Sequence, residues 1–543
     1  MGIGGYYSYI VKNHSVIIKK INPVTDKFKN LYFDCNSIIY DAIHTIDFLN
    51  ISVSESDTII RAVFNKIDEY IRKINPSKTI LIAFDGVAPR AKLEQQRTRR
   101  YKSSYQSKLE MSFNNNTNTN NNKWDTVAIT PGTVFMNQLK EKIHLYYNNP
   151  SQYNVNEIIL SCSDMYGEGE HKIFEYIRST KEKHLDEITV IYGLDADLIM
   201  LSINHLPIAK NLFLFRETPH FIKSINTELE PNESYLMDIQ ELAEIITQDM
   251  NTNTNTNINT NNPSINTNRI YDYIFLCFFL GNDFMPHFPA LNIRSGGVDK
   301  MINAYKETVG KTNEVLYDGT KIYWKNVRKV VAFLADLEED FIKTETKQRD
   351  KRSKYPPSKD ELQRFDATPC YERSLEKYIN PFSPNWQSRY YKTLFNMTID
   401  DTRKKQICTN YLEGLEWTMK YYTVGCPDWK WCYNYNYPPL LADLIHYIPY
   451  FDTEFIKTVE PQPVTELTQL CYVLPKHSLS LLPIDLRKTL NEDWYDNDCT
   501  FVWAYCRYFW ESHVNLPPID INKLEHLVKE YKESNKIKNL EKS

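Results

Sequence analysis

Short apolar runs rich in β-formers recur through the first third of the chain: Leu31-Tyr32-Phe33, then residues 79–84, 158–162 and 188–192. Each is followed by a polar turn and a stretch of helical period. Strands alternating with helices in this way predict an α/β fold, a mostly parallel sheet with helices on both faces. From about residue 298 the pattern becomes helical and rich in Trp and Tyr, with breaks at Pro356-Pro357, Pro438-Pro439 and Pro517-Pro518. The chain therefore divides into an α/β core over 1–310, a mostly helical second region over 311–528 and a charged tail over 529–543. Two polar tracts interrupt the core at 113–123 and 250–268, the second almost a pure Asn-Thr repeat. Such tracts bury too little to offset their own conformational entropy, so both are predicted to loop out as disordered insertions.

With 543 residues, 42% hydrophobic and 24% charged, the composition is that of a soluble globular protein. The longest apolar stretch, 273–280, is too short to span a bilayer. The N-terminus lacks a secretion signal, and Tyr6 stands where a myristoylation signal needs Ser or Thr. A soluble intracellular protein is expected, with the cytoplasm favoured and the nucleus left open, since the tail is a mixed charge run and no clear import signal. Ten cysteines without a C-x-x-C pair argue against a zinc ribbon or a disulfide framework. The net charge of −5 hides basic stretches at 90–108 and 343–364. A basic stripe beside an acidic pocket is what a metal-dependent nuclease needs.

The acids sit where such a pocket would form. Asp34 follows the first run and Asp85 the second. Glu168 and Glu170 come after the third, Asp195 and Asp197 after the fourth, and Asp283 lies just beyond the run at 273–280. In open α/β sheets the ligand site lies beyond the carboxyl ends of the strands, so separate strands deliver these acids to one edge. One Asp after a strand is commonly a turn or cap residue, and Asp164 is left out on that ground. Seven carboxylates need a counter-charge. Two Mg²⁺ ions, with Mn²⁺ as a substitute, would supply it and promote in-line displacement at phosphorus.

The motifs around these acids resemble a known family. Phe33-Asp34-Cys35-Asn36, Phe84-Asp85-Gly86-Val87-Ala88-Pro89-Arg90-Ala91-Lys92, Gly167-Glu168-Gly169-Glu170-His171-Lys172, Gly193-Leu194-Asp195-Ala196-Asp197 and Gly281-Asn282-Asp283-Phe284 occur in order. Together they resemble the first conserved region of the Xrn-type 5′→3′ exoribonucleases, within the flap-endonuclease and PIN-like group. Residues 386–395, Tyr411-Leu412-Glu413-Gly414-Leu415-Glu416-Trp417, Gly425-Cys426-Pro427-Asp428-Trp429-Lys430-Trp431 and Tyr437-Pro438-Pro439 continue the resemblance into the second.

The resemblance implies that Asp34, Asp85, Glu168, Glu170, Asp195, Asp197 and Asp283 bind metal and form the catalytic set with Lys92. It also implies that Lys92, Gln96, Arg99 and Arg100 grip a 5′-monophosphate; their spacing of four, then three or four, places them on one helix face. The implied activity is processive degradation of single-stranded 5′-monophosphorylated RNA to mononucleotides by a monomer. Tyr40 replaces the family's usual His, and Ser37 its Gly; Tyr40 and Trp417 are expected to sandwich the leading base. The sequence stops soon after Trp510-Glu511-Ser512-His513 and a Lys-rich tail, so the docking regions of long C-terminal extensions are not expected. Two other readings stand beside this one. A flap-type endonuclease is disfavoured by the Trp- and Tyr-rich second half, since the resemblance implies that this half walls off the site and admits only single strands; an inactive RNA-binding scaffold is disfavoured by the presence of all seven acids.

Overall fold

The structure, a computed structural model, describes residues 3–22, 27–48, 54–113, 124–251, 263–496 and 499–540. Most of each predicted insertion, 114–123 and 252–262, lies outside the described residues. Seven strands form one sheet: β1 (Ile18–Lys19), β2 (Asn30–Asp34), β3 (Thr79–Ala83), β4 (Glu157–Ser161), β5 (Thr189–Tyr192), β6 (Leu212–Glu217) and β7 (Ser234–Asp238), in the order β1-β7-β6-β5-β2-β3-β4. Strands β2 to β6 pair in parallel, as the alternating pattern predicts. The short runs of β6 and β7 went unread, and β7 and β1 add an antiparallel edge.

The central strands β2 and β3 are buried along their whole length, which explains their near-continuous apolar runs. Their pleat splits the core in two. Leu31, Phe33, Ile80, Ile82, Val190 and Tyr192 face the helices Asn36–Thr45 and Glu55–Ile74. The second of these is capped by Ser54, whose hydroxyl accepts from the Asp57 amide. Tyr32, Leu81 and Ile191 face the other way, into a core shared with Trp324, Tyr411 and Trp417 of the helical second region. The two regions are thus packed through one hydrophobic core.

Beyond residue 298 the chain is mostly helical, with long helices Trp324–Arg352 and Asp401–Thr423 and one small hairpin, Thr500–Val502 with His513–Asn515. The apolar run 273–280 is helical, ending in a 3-10 turn at Phe278–Leu280. Among the described residues no helix is long and apolar enough to cross a membrane.

The chain runs from β2 outward through β3 to β4, then returns to β5 on the other side of β2. That reversal opens a crevice beyond the carboxyl ends of β2 and β5, where α/β sheets bind ligands. Asp34 and Asp195 flank it.

Candidate metal centre

Each acid is placed by a local device. Asp34 is the last residue of β2. Asp85 lies just past β3 and is held by Asn36, whose Nδ2 donates to Asp85 Oδ2 at 2.6 Å while its Oδ1 accepts the Asp85 amide at 3.0 Å. The Gly169 amide donates to Asp85 Oδ1 at 2.7 Å. These bonds tie the β2 and β3 loops to the helix Gly169–Ser179, which carries Glu168 at its N-cap and Glu170 in its first turn. Close approach demands glycine here: a Cβ on Gly169 would lie 2.4 Å from Asp34 Oδ1, and one on Gly86 would lie 1.7 Å from the Met165 carbonyl oxygen. Asp197 opens the helix Asp197–His205, and Asp283 follows the 3-10 turn through Gly281 at φ 82.

Ligand oxygens of Asp34, Asp85 and Glu170 lie within 4.8 Å of one another, close enough to share a metal ion. Beside them Lys92 Nζ bridges Glu168 Oε2 at 2.5 Å and Asp283 Oδ2 at 2.7 Å. The Tyr421 hydroxyl donates to Glu168 Oε1 at 2.8 Å, and the Tyr422 phenol lies beside Asp197.

The electrostatics record a surplus of buried negative charge. Burial, then the charges of Asp85 and Asp195, push the Asp34 carboxyl well above its usual range. Burial, then Glu168 and Asp34, do the same to Glu170. Burial and the neighbouring Asp283 raise Asp197 to about 7. Asp283 moves the other way: burial opposes its ionisation, but the Lys92 ammonium holds it well below the carboxylate range. Asp34 Oδ1 and Asp197 Oδ1 are buried with no hydrogen-bond partner. Hard oxygen donors, excess negative charge and unsatisfied lone pairs together fit a divalent cation.

A basic helix, Arg90–Phe113, enters this centre through Lys92. One turn on, Gln96 Oε1 and Arg100 Nη1 are buried without a partner, while Arg100 Nη2 donates to Thr130 Oγ1 at 2.5 Å. Burial lowers the Arg100 pKa to about 10 despite the nearby Tyr40. The charge of Arg99 reaches Asp195 and Asp283. The C-terminal half clamps the helix: Arg97 donates to the Pro517 and Trp494 carbonyls, and Lys102 to those of Trp510 and Ser512.

Family comparison gives this arrangement its context. The family model described as XRN 5'-3' exonuclease N-terminus matches residues 1–218, and the Xrn1 helical domain matches 264–381 and 372–543. The chain belongs to the Xrn 5'-3' exonuclease family. It is 26% identical to 5'-3' exoribonuclease 2 of Gallus gallus, with 95% of this chain and 66% of that protein covered. It is 28% identical to the Drosophila melanogaster 5'-3' exoribonuclease 2 homolog, over 93% of this chain and 66% of that one. For 5'-3' exoribonuclease 1 of Schizosaccharomyces pombe the identity is 26%, over 96% and 48%. The chain thus spans just under two thirds of the first two relatives and about half of the third. The catalytic core of Rad2 in complex with DNA substrate overlaps 82% of this chain and 95% of its own at 11% identity and TM-score 0.33, too distant to carry weight.

In this Xrn-family chain the seven acids share one neighbourhood, joined by the three-carboxylate group, by Lys92 and by mutual charge effects. Asp164 stays outside, exposed and 3.6 Å from Lys140. Trp417 requires a correction. Its indole is 0% exposed, stacks on Trp431 at 5.2 Å, packs on Phe284 and Tyr421, and donates to the Asp428 carbonyl. Such a ring is a core residue and offers no open face to a base. Tyr40 is half-buried on the helix Asn36–Thr45.

Several neighbours of the acids were not singled out from the sequence. Asn36 lay inside a quoted motif, and its position at a helix start beyond a strand could have flagged it. His171, stacked on Tyr421 at 3.7 Å, and Lys172, donating to the Phe84 and Cys162 carbonyls, also sit in a quoted motif. Tyr421 and Tyr422 carried no such signal.

Proposed function

We propose that the chain is a divalent-metal-dependent 5′→3′ exoribonuclease that degrades single-stranded 5′-monophosphorylated RNA to mononucleotides. The observation that carries this reading is the adjacency of two incomplete sets: an acidic centre with surplus negative charge and a basic helix on which one buried guanidinium nitrogen, Arg100 Nη1, has no partner. The first suits a metal and the second an anionic terminus. Family membership, and relatives named 5'-3' exoribonucleases, support the same substrate class.

Asp34, Asp85 and Glu170 would hold the cation, with Glu168, Asp195, Asp197 and Asp283 completing its surroundings. Mg²⁺, as two ions with Mn²⁺ as a substitute, would supply positive charge at the attacking and leaving oxygens of a phosphodiester hydrolysis. Gln96, Arg99 and Arg100 would receive the terminal phosphate, the planar guanidinium forks fixing its orientation. Lys92 joins the two sets, since its ammonium lies between acids and phosphate helix. A phosphate held there sets a fixed distance to the acids, so one nucleotide leaves per cut and the new end carries a 5′-phosphate. The exposed part of Tyr40 would stack on the leading base. We assign the chemistry to the α/β region 1–310, with the helical region 311–528 closing over it as the source of the clamp on the basic helix.

The test is a single digestion series on the full chain: long RNA with 5′-monophosphate, 5′-hydroxyl or 5′-triphosphate ends, beside a branched DNA flap, with Mg²⁺, Mn²⁺ or EDTA. Mononucleotide release from the monophosphate RNA alone, abolished by EDTA, is the expected result. Dominant flap cleavage would assign the site to a structure-specific endonuclease, and binding without cleavage to a scaffold.

A further inference from the structure

The helix Asp401–Thr423 belongs to the second region, more than a hundred residues from the last acid of the centre, yet it reaches the acids directly. Its start is fixed by Asp400, whose Oδ1 accepts the Arg403 amide at 2.8 Å. Along its length it presses on the loop that carries Asp283. Tyr411 donates its hydroxyl to the Pro286 carbonyl at 3.1 Å, and a Cβ on Gly414 would lie 2.1 Å from Met285 Sδ. At its last turn, Asn204 Nδ2 donates to the Tyr422 carbonyl at 2.9 Å, tying the helix to Asp197–His205.

This docking delivers two adjacent phenols to two different acids. Neighbouring residues on a helix point about 100° apart. Tyr421 accordingly hydrogen-bonds Glu168, at the start of one carboxylate-bearing helix, and Tyr422 lies beside Asp197, at the start of another. Both rings are almost fully buried, at 3% and 1% exposure. Tyr421 is wedged between the His171 ring at 3.7 Å and Phe284 at 5.6 Å, and Tyr422 packs on Phe278 at 5.3 Å. Packing therefore fixes where each hydroxyl points. A hydroxyl donor stabilises the ionised form of its carboxylate and selects one oxygen, leaving the other to face the centre. Glu168 Oε2 then meets Lys92, and Asp197 Oδ1 is buried with no partner.

We infer that Tyr421 and Tyr422 are positioning residues for the metal centre, orienting Glu168 and Asp197 from the helical region so that the cation site is complete only when that helix is docked. This rests on the metal reading of the centre given above and adds the part played by the second region. Hydrogen-bond donors behind ligating groups typically affect metal affinity by about 10–100-fold. Because binding and docking share these bonds, each must favour the other.

The test is calorimetric titration of Mn²⁺ into the full chain and into Tyr421→Phe, Tyr422→Phe and Thr418→Val. The last removes a buried hydroxyl that donates within the same helix, to the Gly414 carbonyl, and so controls for general loss of packing. Y421F and Y422F are each expected to weaken Mn²⁺ binding about tenfold or more, with melting temperatures in EDTA matching that of T418V. Cleavage by both should be lost at low Mn²⁺ and recovered at high Mn²⁺. Affinities equal to those of the parent and T418V would overturn the inference. A measurement on the parent alone guards against variants that do not fold: backbone hydrogen exchange in residues 411–423 should slow when Mn²⁺ is added, and an unchanged rate would overturn the inference. A parent that binds no divalent ion would instead overturn the metal reading itself.

Discussion

Two clusters of buried charge can be compared within this chain, and they are built on opposite terms. In the helical region, Glu376 accepts from Arg349 Nε and Nη2 at 3.0 and 2.7 Å, from Arg373 Nε at 2.6 Å and from the Tyr505 amide at 2.8 Å. Arg349 Nη2 also donates to the Cys506 and Pro369 carbonyls, and Arg373 Nη1 to Asp350. Charge there is balanced and the bonds join three segments of chain. At the sheet edge, seven acids gather around Lys92, and two of their buried oxygens have no partner. Both clusters bear the cost of desolvation. Only the first recovers it internally. A buried charge imbalance is what a bound cation would relieve, and on that difference we propose the second cluster as functional and the first as structural.

The largest effect that would sharpen the contrast is on chemistry. Asp34→Asn is expected to cut hydrolysis of 5′-phosphorylated RNA by about a thousandfold, the upper range for a group that stabilises charge in the transition state. The same variant should raise the metal-free melting temperature, because it relieves repulsion among Asp34, Asp85 and Asp195. In the balanced cluster the outcome reverses: Glu376→Ala removes the carboxylate that two buried guanidinium groups share and should cost about 3–5 kcal/mol of stability, measured by urea denaturation.

A pH series gives a subtler separation. The Asp197 carboxyl is raised to about 7 in the fold, so the folded protein holds this proton more tightly than the unfolded chain. Its contribution to stability is complete below about pH 4, the ordinary range of an Asp, and is lost as pH rises towards 7. Metal-free parent should therefore lose stability relative to Asp197→Asn between those limits; comparing the two proteins cancels the buried histidines, which titrate in both. The smallest effect belongs to an exposed pair. Glu314→Gln, which breaks the contact with Lys329, should change stability by less than about 1 kcal/mol in the same denaturation assay.

Asp34 and Asp85 were legible because two signals coincide there: a short buried strand reads as a continuous apolar run, and an Asp stands at or just past its end. Glu170 and Asp197 lie farther on, in the first turns of the helices that follow β4 and β5. The antiparallel edge was harder, since β1 is only two residues long and β7 lies among turn-forming residues. Trp417 was misread because an aromatic on an amphipathic helix gives the same pattern whether it stacks on a base or on Trp431. Tyr421 and Tyr422 were invisible for a related reason. The acids beside them lie more than two hundred residues away in sequence, and nothing local distinguishes a phenol that orients a carboxylate from one that fills the core.

The most direct measurement is anomalous scattering from Mn²⁺ in crystals of the full chain, recorded above and below the manganese absorption edge. Density peaks within coordination distance of Asp34, Asp85 and Glu170 are predicted. Crystals that take up manganese with no peak among these three carboxylates would contradict the account.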